Sequence, residues 1–141
     1  MFYQPILLPL LAQVLLTFLV WVYLYITRFS EISRKNIDPQ ALSRHKNGQE
    51  LLTESSGPAD NFRNLFEMPV LFFVAVLLSL QLFIQDEVLV QLAWIFVAFR
   101  ALHSFIHCTY NRVLHRFTAY IASSLILLLI WLRLGIYIIG N

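Results

Sequence analysis

The fold is decided by residues 68–107, which read MPVLFFVAVLLSLQLFIQDEVLVQLAWIFVAFRALHSFIH. Residues 68–85 carry no charge, Asp86 and Glu87 form a two-residue acidic turn, and residues 88–99 are again free of charge. Apolar runs of about 18 residues are typical of transmembrane helices. Because the turn is too short for any other connection, the two helices are expected to run antiparallel. The sequence therefore predicts a membrane-spanning helical hairpin.

Two further apolar runs flank this hairpin, one at each end of the chain. The four spans are expected at about residues 6–26, 62–85, 88–108 and 117–139. Only 13% of the residues are charged, whereas a soluble domain has about 25%. Pro69 is expected to kink the second span, and Arg133 is expected to reach the interface from the fourth. We therefore predict an all-α protein with one domain, residues 1–141: an integral membrane four-helix bundle of antiparallel up-down topology.

The connections differ in charge. Six of the ten Lys and Arg residues lie in or beside the loop at residues 28–60, and two more flank the third connection, whereas the second connection is acidic. By the positive-inside rule, both basic loops are expected in the cytoplasm and both termini on the non-cytoplasmic side, in the inner membrane if the source is bacterial. A short helix is expected after Asp38, with Pro39 in its first turn. No nucleic-acid partner is expected.

Ionisable residues within membrane spans are costly and mark functional sites by default. Two sets follow the three- and four-residue spacing that places side chains on one face of a helix. In the second span the set is Asp60, Asn64 and Glu67. In the third span the set is Arg100, His103 and His107. Both sets lie at the cytoplasmic ends of their helices, so we expect the two polar faces to meet.

Three interpretations of these faces are open. They line a cavity for a charged ligand, or they form a packing network in which each contact contributes about 1 kcal/mol. Alternatively, His103 and His107 bind a metal with Glu67, since their i, i+4 spacing puts both imidazoles on one side of the helix. The nearby Arg100 disfavours a cation, so no metal is expected.

Three segments of the chain resemble one family of membrane proteins. The run of residues 63–67, RNLFE, followed by Pro69, resembles the second-helix signature of the MAPEG family, whose members act in eicosanoid and glutathione metabolism. Residues 100–116 are similar to that family's third helix and the start of its fourth, with spacing most similar to the microsomal prostaglandin E synthases. Residues 36–45, NIDPQALSRH, resemble its first loop. The resemblance covers nearly the whole chain.

The resemblance implies a homotrimer in the membrane lipid, with a glutathione site between neighbouring subunits that opens toward the cytoplasm. It implies that Arg116 is the catalytic residue that stabilises the glutathione thiolate. The residues that it implies for binding glutathione are Arg63, Asn64, Glu67, Arg100, His103, His107 and Tyr110. His107 stands where the family usually has a tyrosine, and Tyr110 lies one turn further on. Asp60 and Phe117 also depart from the family pattern.

The chemistry of glutathione suits these residue types. Arginine binds its carboxylates bidentately, and a glutamate suits its ammonium group. A free thiol has a pKa of about 8.5, and an arginine that lowers it by about two units supplies about 2.7 kcal/mol. We therefore expect a glutathione-dependent transferase or peroxidase that acts on lipophilic electrophiles. The alternative is a non-catalytic membrane module of the same fold that binds a lipid or another small anion.

Overall fold

The computed structural model describes residues 5–43 and 50–140. Within these ranges it contains the helices α1 (Leu7–Lys35), α2 (Ser56–Asn64), α3 (Met68–Gln81), α4 (Glu87–Cys108) and α5 (Val113–Gly140), with a 3-10 helix at Pro39–Ser43 and no strand. Four stretches are long and apolar enough to cross a membrane, namely α1, α2 with α3, α4 and α5. The prediction of an all-α protein with four apolar spans is confirmed. Arg44, His45 and Lys46, which belong to the predicted basic loop, lie outside the described residues.

α1 is longer than the first span expected from the sequence. It continues through Arg28 to Lys35 and ends where Asn36 adopts a left-handed conformation with a φ of 49°. Basic residues in its last turn favour this extension because they interact with the negative end of the helix dipole. The connection expected at residues 28–60 is therefore shorter than predicted. The short helix expected after Asp38 is present as the 3-10 helix.

The second span is interrupted between α2 and α3. Pro69 lies in the first turn of α3 and has no N–H group to donate to the carbonyl oxygen of Leu65. The kink predicted from Pro69 is thus present as a break, with α2 ending at Asn64 and α3 beginning at Met68.

The apolar core lies between α3, α4 and α5. Phe72 of α3 and Phe96 of α4 are fully buried, and their rings stack with centroids 4.6 Å apart. Ala75 and Ala93 are also buried. Small residues allow the helices to approach closely, which matters in lipid because van der Waals packing, and not the hydrophobic effect, drives helix association there.

Two contacts join opposite ends of α4 and α5. At one end, Arg133 donates to Asp86 with an Nε–Oδ2 distance of 2.7 Å, and at the other His103 bonds the backbone of Arg116. Arg133 therefore has a partner in the second connection, which the sequence interpretation missed because it placed this side chain at the interface. Burial by itself would raise the pKa of Asp86, but the hydrogen bond and charge of Arg133 and the N–H of Val88 lower it below its usual value.

Candidate ligand site at the polar end of the bundle

The candidate site lies at the end of the bundle that holds α2 (residues 56–64) and the α4–α5 connection (residues 109–112), which we call the polar end. Arg100, His103 and His107 of α4 are 0%, 2% and 3% exposed, respectively. The imidazole rings of the two histidines meet edge to face with centroids 5.4 Å apart. Three consecutive members of one helix face thus place a guanidinium and two imidazoles in the protein interior.

Arg100 and His103 each bond a backbone carbonyl of another helix. Arg100 donates through Nη2 to the carbonyl oxygen of Asn64 at 3.0 Å. His103 donates through Nδ1 to the carbonyl oxygen of Arg116 at 3.0 Å. Because a carbonyl can only accept, this contact places the proton of a neutral His103 on Nδ1. The Arg100 guanidinium also lies 5.8 Å from the ring centroid of Tyr120, within the range of a cation–π interaction.

Several buried nitrogen atoms of this cluster have no hydrogen-bond partner among the described residues. They are Arg100 Nε, Arg100 Nη1, His103 Nε2 and His107 Nδ1. Buried polar atoms in native proteins are nearly always hydrogen-bonded to protein, water or ligand. A cluster that presents two guanidinium N–H groups from a buried arginine is chemically suited to a carboxylate or another anion.

α2 contributes a different face from the one predicted. Asn61 is fully buried, accepts from Ser104 Oγ at 3.2 Å and donates to Cys108 Sγ at 3.5 Å. Asp60 and Glu67 are exposed instead. The prediction that Asp60, Asn64 and Glu67 face α4 was wrong within one chain, because the buried face of this stretch runs through Asn61, Leu65 and Pro69 instead. Asn61 was missed, although its spacing of three from Asn64 was a usable signal.

Three of the predicted binding residues lie outside the buried cluster within one chain. The Arg63 side chain is 61% exposed and approaches Asp60 at 3.5 Å. Glu67 is exposed at the break between α2 and α3. Tyr110 is exposed beyond the end of α4, where its hydroxyl oxygen lies 3.2 Å from His115 Nδ1.

Arg116, the predicted catalytic residue, lies in the first turn of α5. Its side chain is partly exposed and donates through Nη1 to Asn111 Oδ1 at 2.9 Å. The structure therefore joins the backbone of Arg116 to the buried cluster through His103, while its guanidinium lies over the α4–α5 connection.

Two clefts flank the cluster at the polar end. One, of about 420 Å³, lies between α4 and α5 and includes Tyr110, His115 and the small residues Ala119 and Ala122. The other, of about 380 Å³, lies between α1 and α2; its lining residues are Leu24, Tyr25, Arg28, Ala59, Phe62, Arg63 and Phe66. A cleft of about 500 Å³ beside Asp86 belongs to the opposite end.

The described residues offer little to a metal ion. No group of three or more His, Cys, Asp or Glu side chains among them is arranged to hold one. His103 and His107 are neighbours, but Glu67, the third ligand considered from the sequence, is exposed beyond the helix break.

The sequence matches the family model of the MAPEG family over residues 6–136. The chain belongs to the MAPEG family. No curated protein and no solved structure matches it. Together with its four membrane-capable stretches, membership makes this MAPEG protein an integral, multi-pass membrane protein. Membership also points to a glutathione-related transferase or a related membrane function, since the family generally uses glutathione. The finer resemblance to prostaglandin E synthases stays a prediction.

Proposed function

We propose that this MAPEG protein is a glutathione-dependent transferase or peroxidase that acts on lipophilic electrophiles. Glutathione binds at the polar end, and Arg116 stabilises its thiolate. The observation that carries the proposal is the fully buried Arg100, which lies beside the Asn64 backbone and two buried imidazoles and has two guanidinium nitrogens unbonded among the described residues.

A buried guanidinium argues for an anionic ligand. Removing an ionised group from water costs about several kcal/mol, unless an opposite charge and full hydrogen bonding compensate for the lost hydration. Among the described residues, the Arg100 guanidinium contacts one carbonyl oxygen and one aromatic ring, and the charge of Glu67 acts on it without forming an ion pair. A carboxylate of glutathione would contact the guanidinium directly and accept two parallel hydrogen bonds from it.

The exposed members of the predicted site argue for a site shared between subunits. Arg63, Glu67 and Tyr110 present their side chains outward, while the apolar surfaces of α1 and α5 are largely exposed. In a homotrimer of antiparallel, up-down bundles, these side chains face the neighbouring subunit and complete the site from both sides. Both basic loops then lie in the cytoplasm, as the positive-inside rule requires.

The reaction uses the thiolate as the nucleophile. With an electrophilic carbon, a sulfur–carbon bond forms and the leaving group departs with the electron pair, while the thiol proton passes to solvent. With a lipid hydroperoxide, two glutathione molecules are oxidised to the disulfide, and the hydroperoxide is reduced to an alcohol and water. The positive charge of Arg116 favours the thiolate in both reactions.

Calorimetry with glutathione tests the proposal on the purified protein in nanodiscs. We expect saturable binding, and we expect Arg116→Ala to slow conjugation with a generic aromatic electrophile. Arg112→Ala is the matched control, because Arg112 is an exposed arginine in the same connection. Absence of glutathione binding, or equal loss of activity in both variants, contradicts the proposal.

The cleft between α1 and α2 favours a second candidate function. It combines Arg28 and Arg63 with Phe62 and Phe66, and basic pockets between membrane helices bind anionic lipid headgroups. In this alternative the protein is a non-catalytic module that binds a lipid or another small anion. It predicts a co-purifying phospholipid in native mass spectrometry and no thiol chemistry.

A further inference from the structure

α2 cannot be stable by itself. It has nine residues, and isolated helices shorter than about 12–15 residues are marginal even with favourable sequences. Gly57 lowers its helix propensity further. The Ser55 side chain at its N-cap makes no capping bond to the helix. Tertiary contacts must therefore hold α2, which carries Asn64.

The N-terminal end of α2 is held by a carboxylate from α1. Glu31 is 1% exposed. Its Oε2 accepts from the N–H and the hydroxyl of Ser55, both at 2.9 Å. Its Oε1 accepts from the N–H of Glu54 at 2.9 Å and from Lys35 Nζ at 2.6 Å. A carboxylate that forms a salt bridge with Lys35 thus lies at the positive end of the α2 dipole.

The C-terminal end of α2 is held by a cation from α4. The carbonyl oxygen of Asn64, the last residue of α2, accepts from Arg100 Nη2. Carbonyl groups in the last turn of a helix lack partners within the helix, and a positive charge there complements the dipole. In the break that precedes α3, this oxygen also accepts a longer bond from the N–H of Glu67 at 3.4 Å, and Arg100 is its shorter, charged partner.

α2 also packs too closely on α4 to shift freely. An ideal Cβ built on Gly57 lies 3.0 Å from the carbonyl oxygen of His107. The glycine therefore allows an approach between backbones that a larger residue prevents. Two buried charges at the ends and one close backbone contact fix the position of α2 relative to the imidazoles.

We propose that Glu31 and Arg100 form a two-ended clamp of opposite charges that holds α2, and that Glu31 is a positioning residue for the ligand site. Glu31 acts through Ser55 and α2 and does not touch the ligand. The effect on glutathione rests on the proposed function, whereas the effect on α2 does not. The clamp thereby connects the first loop to the affinity of the site.

Hydrogen exchange measured by mass spectrometry on the full-length protein in nanodiscs tests the clamp without any ligand. Glu31→Gln replaces one carboxylate oxygen with an amide donor that faces other donors. We expect amides of residues 56–67 to exchange about tenfold faster, as for loss of one charge-assisted hydrogen bond, while α5 is unchanged. Arg100→Gln is expected to do the same. Glu87→Gln, at an exposed position at the opposite end, is the control.

Ser55→Ala is a milder variant that removes one bond to Glu31 and keeps both charges. We expect it to fold, to accelerate exchange over residues 56–67 about threefold, and to raise the KM for glutathione with kcat changed less than about twofold. Exchange in residues 56–67 that stays at the wild-type rate in both Glu31→Gln and Ser55→Ala overturns the clamp, and so does acceleration spread evenly over the chain. If the wild type binds no glutathione, the proposed function fails, but the exchange rates still show whether Glu31 and Arg100 hold α2.

Discussion

The imidazole of His103 joins α4 to the first turn of α5, because its Nδ1 atom donates to the carbonyl oxygen of Arg116 across 3.0 Å. This hydrogen bond has two structural consequences. It fixes the histidine tautomer, so that Nε2 carries the lone pair in the buried cluster. It also fixes the backbone from which the Arg116 side chain extends. His103 therefore belongs to both the packing of the bundle and the proposed ligand site.

Two amide substitutions separate these roles of His103. The amide nitrogen of asparagine lies near the position of Nδ1, so we expect His103→Asn to keep the bond to Arg116 and to lose the function of Nε2. We expect His103→Gln, whose amide reaches the position of Nε2, to do the opposite. Calorimetry then shows weaker glutathione binding in His103→Asn with normal hydrogen exchange at the start of α5.

The same comparison predicts that His103→Gln increases hydrogen exchange over residues 113–119 about tenfold, as for the loss of one buried hydrogen bond. Phe99→Leu, which changes a cleft-lining side chain on the same helix, serves as the control. Identical behaviour of the two amide variants in both measurements is inconsistent with separate roles for the two ring nitrogens.

Asp86 gives the opposite end of the bundle a dependence on pH. The pKa of Asp86 is lowered in the folded protein, where it accepts from Arg133 and caps α4 through the N–H of Val88. A carboxyl group with a lowered folded pKa contributes stability above its unfolded pKa of about 3.9. This contribution is lost as the pH falls through the folded value.

Thermal unfolding in detergent between neutral and strongly acidic pH measures that contribution. We expect Asp86→Asn to lower Tm at neutral pH and to converge on the wild type once the pH is below the folded pKa of Asp86. Glu87→Gln, at the adjacent exposed position, is expected to follow the wild-type curve. A constant difference between Asp86→Asn and the wild type at every pH means that the carboxylate charge is not the cause.

The hairpin and the polar face of α4 were predictable from sequence because each depends on residues that are near one another in the chain. The apolar runs and the spacing of Arg100, His103 and His107 are local features, and α4 keeps its phase over this stretch. The predicted two-residue turn at Asp86 and Glu87 was wrong, because α3 ends at Gln81 and α4 begins at Glu87, so the connection is residues 82–86. α2 was less predictable. The buried face of the second span runs through Asn61, Leu65 and Pro69, so Asp60 and Glu67 lie at the surface, and the break before α3 adds to the departure from a regular helix.

Glu31 was not predictable from the sequence at all. It lies in the polar last third of α1, where an acidic residue is expected to face water. Its burial depends on Glu54 and Ser55, which return to α1 after the first connection and donate two N–H groups and the Ser55 hydroxyl. A partner more than twenty positions away leaves no periodic signal in the sequence. The same holds for the Asp86–Arg133 pair, whose members are 47 positions apart.

Two glycines provide a matched test of the close contact between α2 and α4. Gly57→Ala adds a Cβ that meets the carbonyl oxygen of His107 at 3.0 Å, so α2 must shift. We expect a loss of about 1–3 kcal/mol in the free energy of unfolding and weaker glutathione binding. Gly135→Ala adds the same group in α5 with nothing within 4 Å, and helix propensity alone predicts a gain of up to about 1 kcal/mol.

Denaturant unfolding followed by tryptophan fluorescence measures both variants. If Gly57→Ala is as stable as Gly135→Ala, α2 is free to adjust and its position relative to His107 is not tightly fixed. If Gly57→Ala is less stable but binds glutathione as tightly as the wild type, the packing of α2 does not determine the affinity of the ligand site.

Arg116 is expected to set the pH range of catalysis. A guanidinium near the bound sulfur lowers the pKa of the glutathione thiol from its free value of about 8.5. Arg116→Lys keeps the charge with fewer donors, whereas Arg116→Ala removes the charge. Since the reaction needs the thiolate, this pKa sets the acid limb of the kcat profile, and we expect that limb to move upward by about one to two pH units in Arg116→Ala and by less in Arg116→Lys. Ultraviolet absorbance of the bound thiolate follows the same ionisation directly.

Arg112→Ala, four positions earlier and exposed, is the control. It leaves the pH profile unchanged if the effect requires the position of Arg116 and not merely a positive charge in the connection. A thiolate pKa that is equal in the wild type and Arg116→Ala assigns thiolate stabilisation to another residue, and Arg100, the buried guanidinium of the same cluster, is then the first to test.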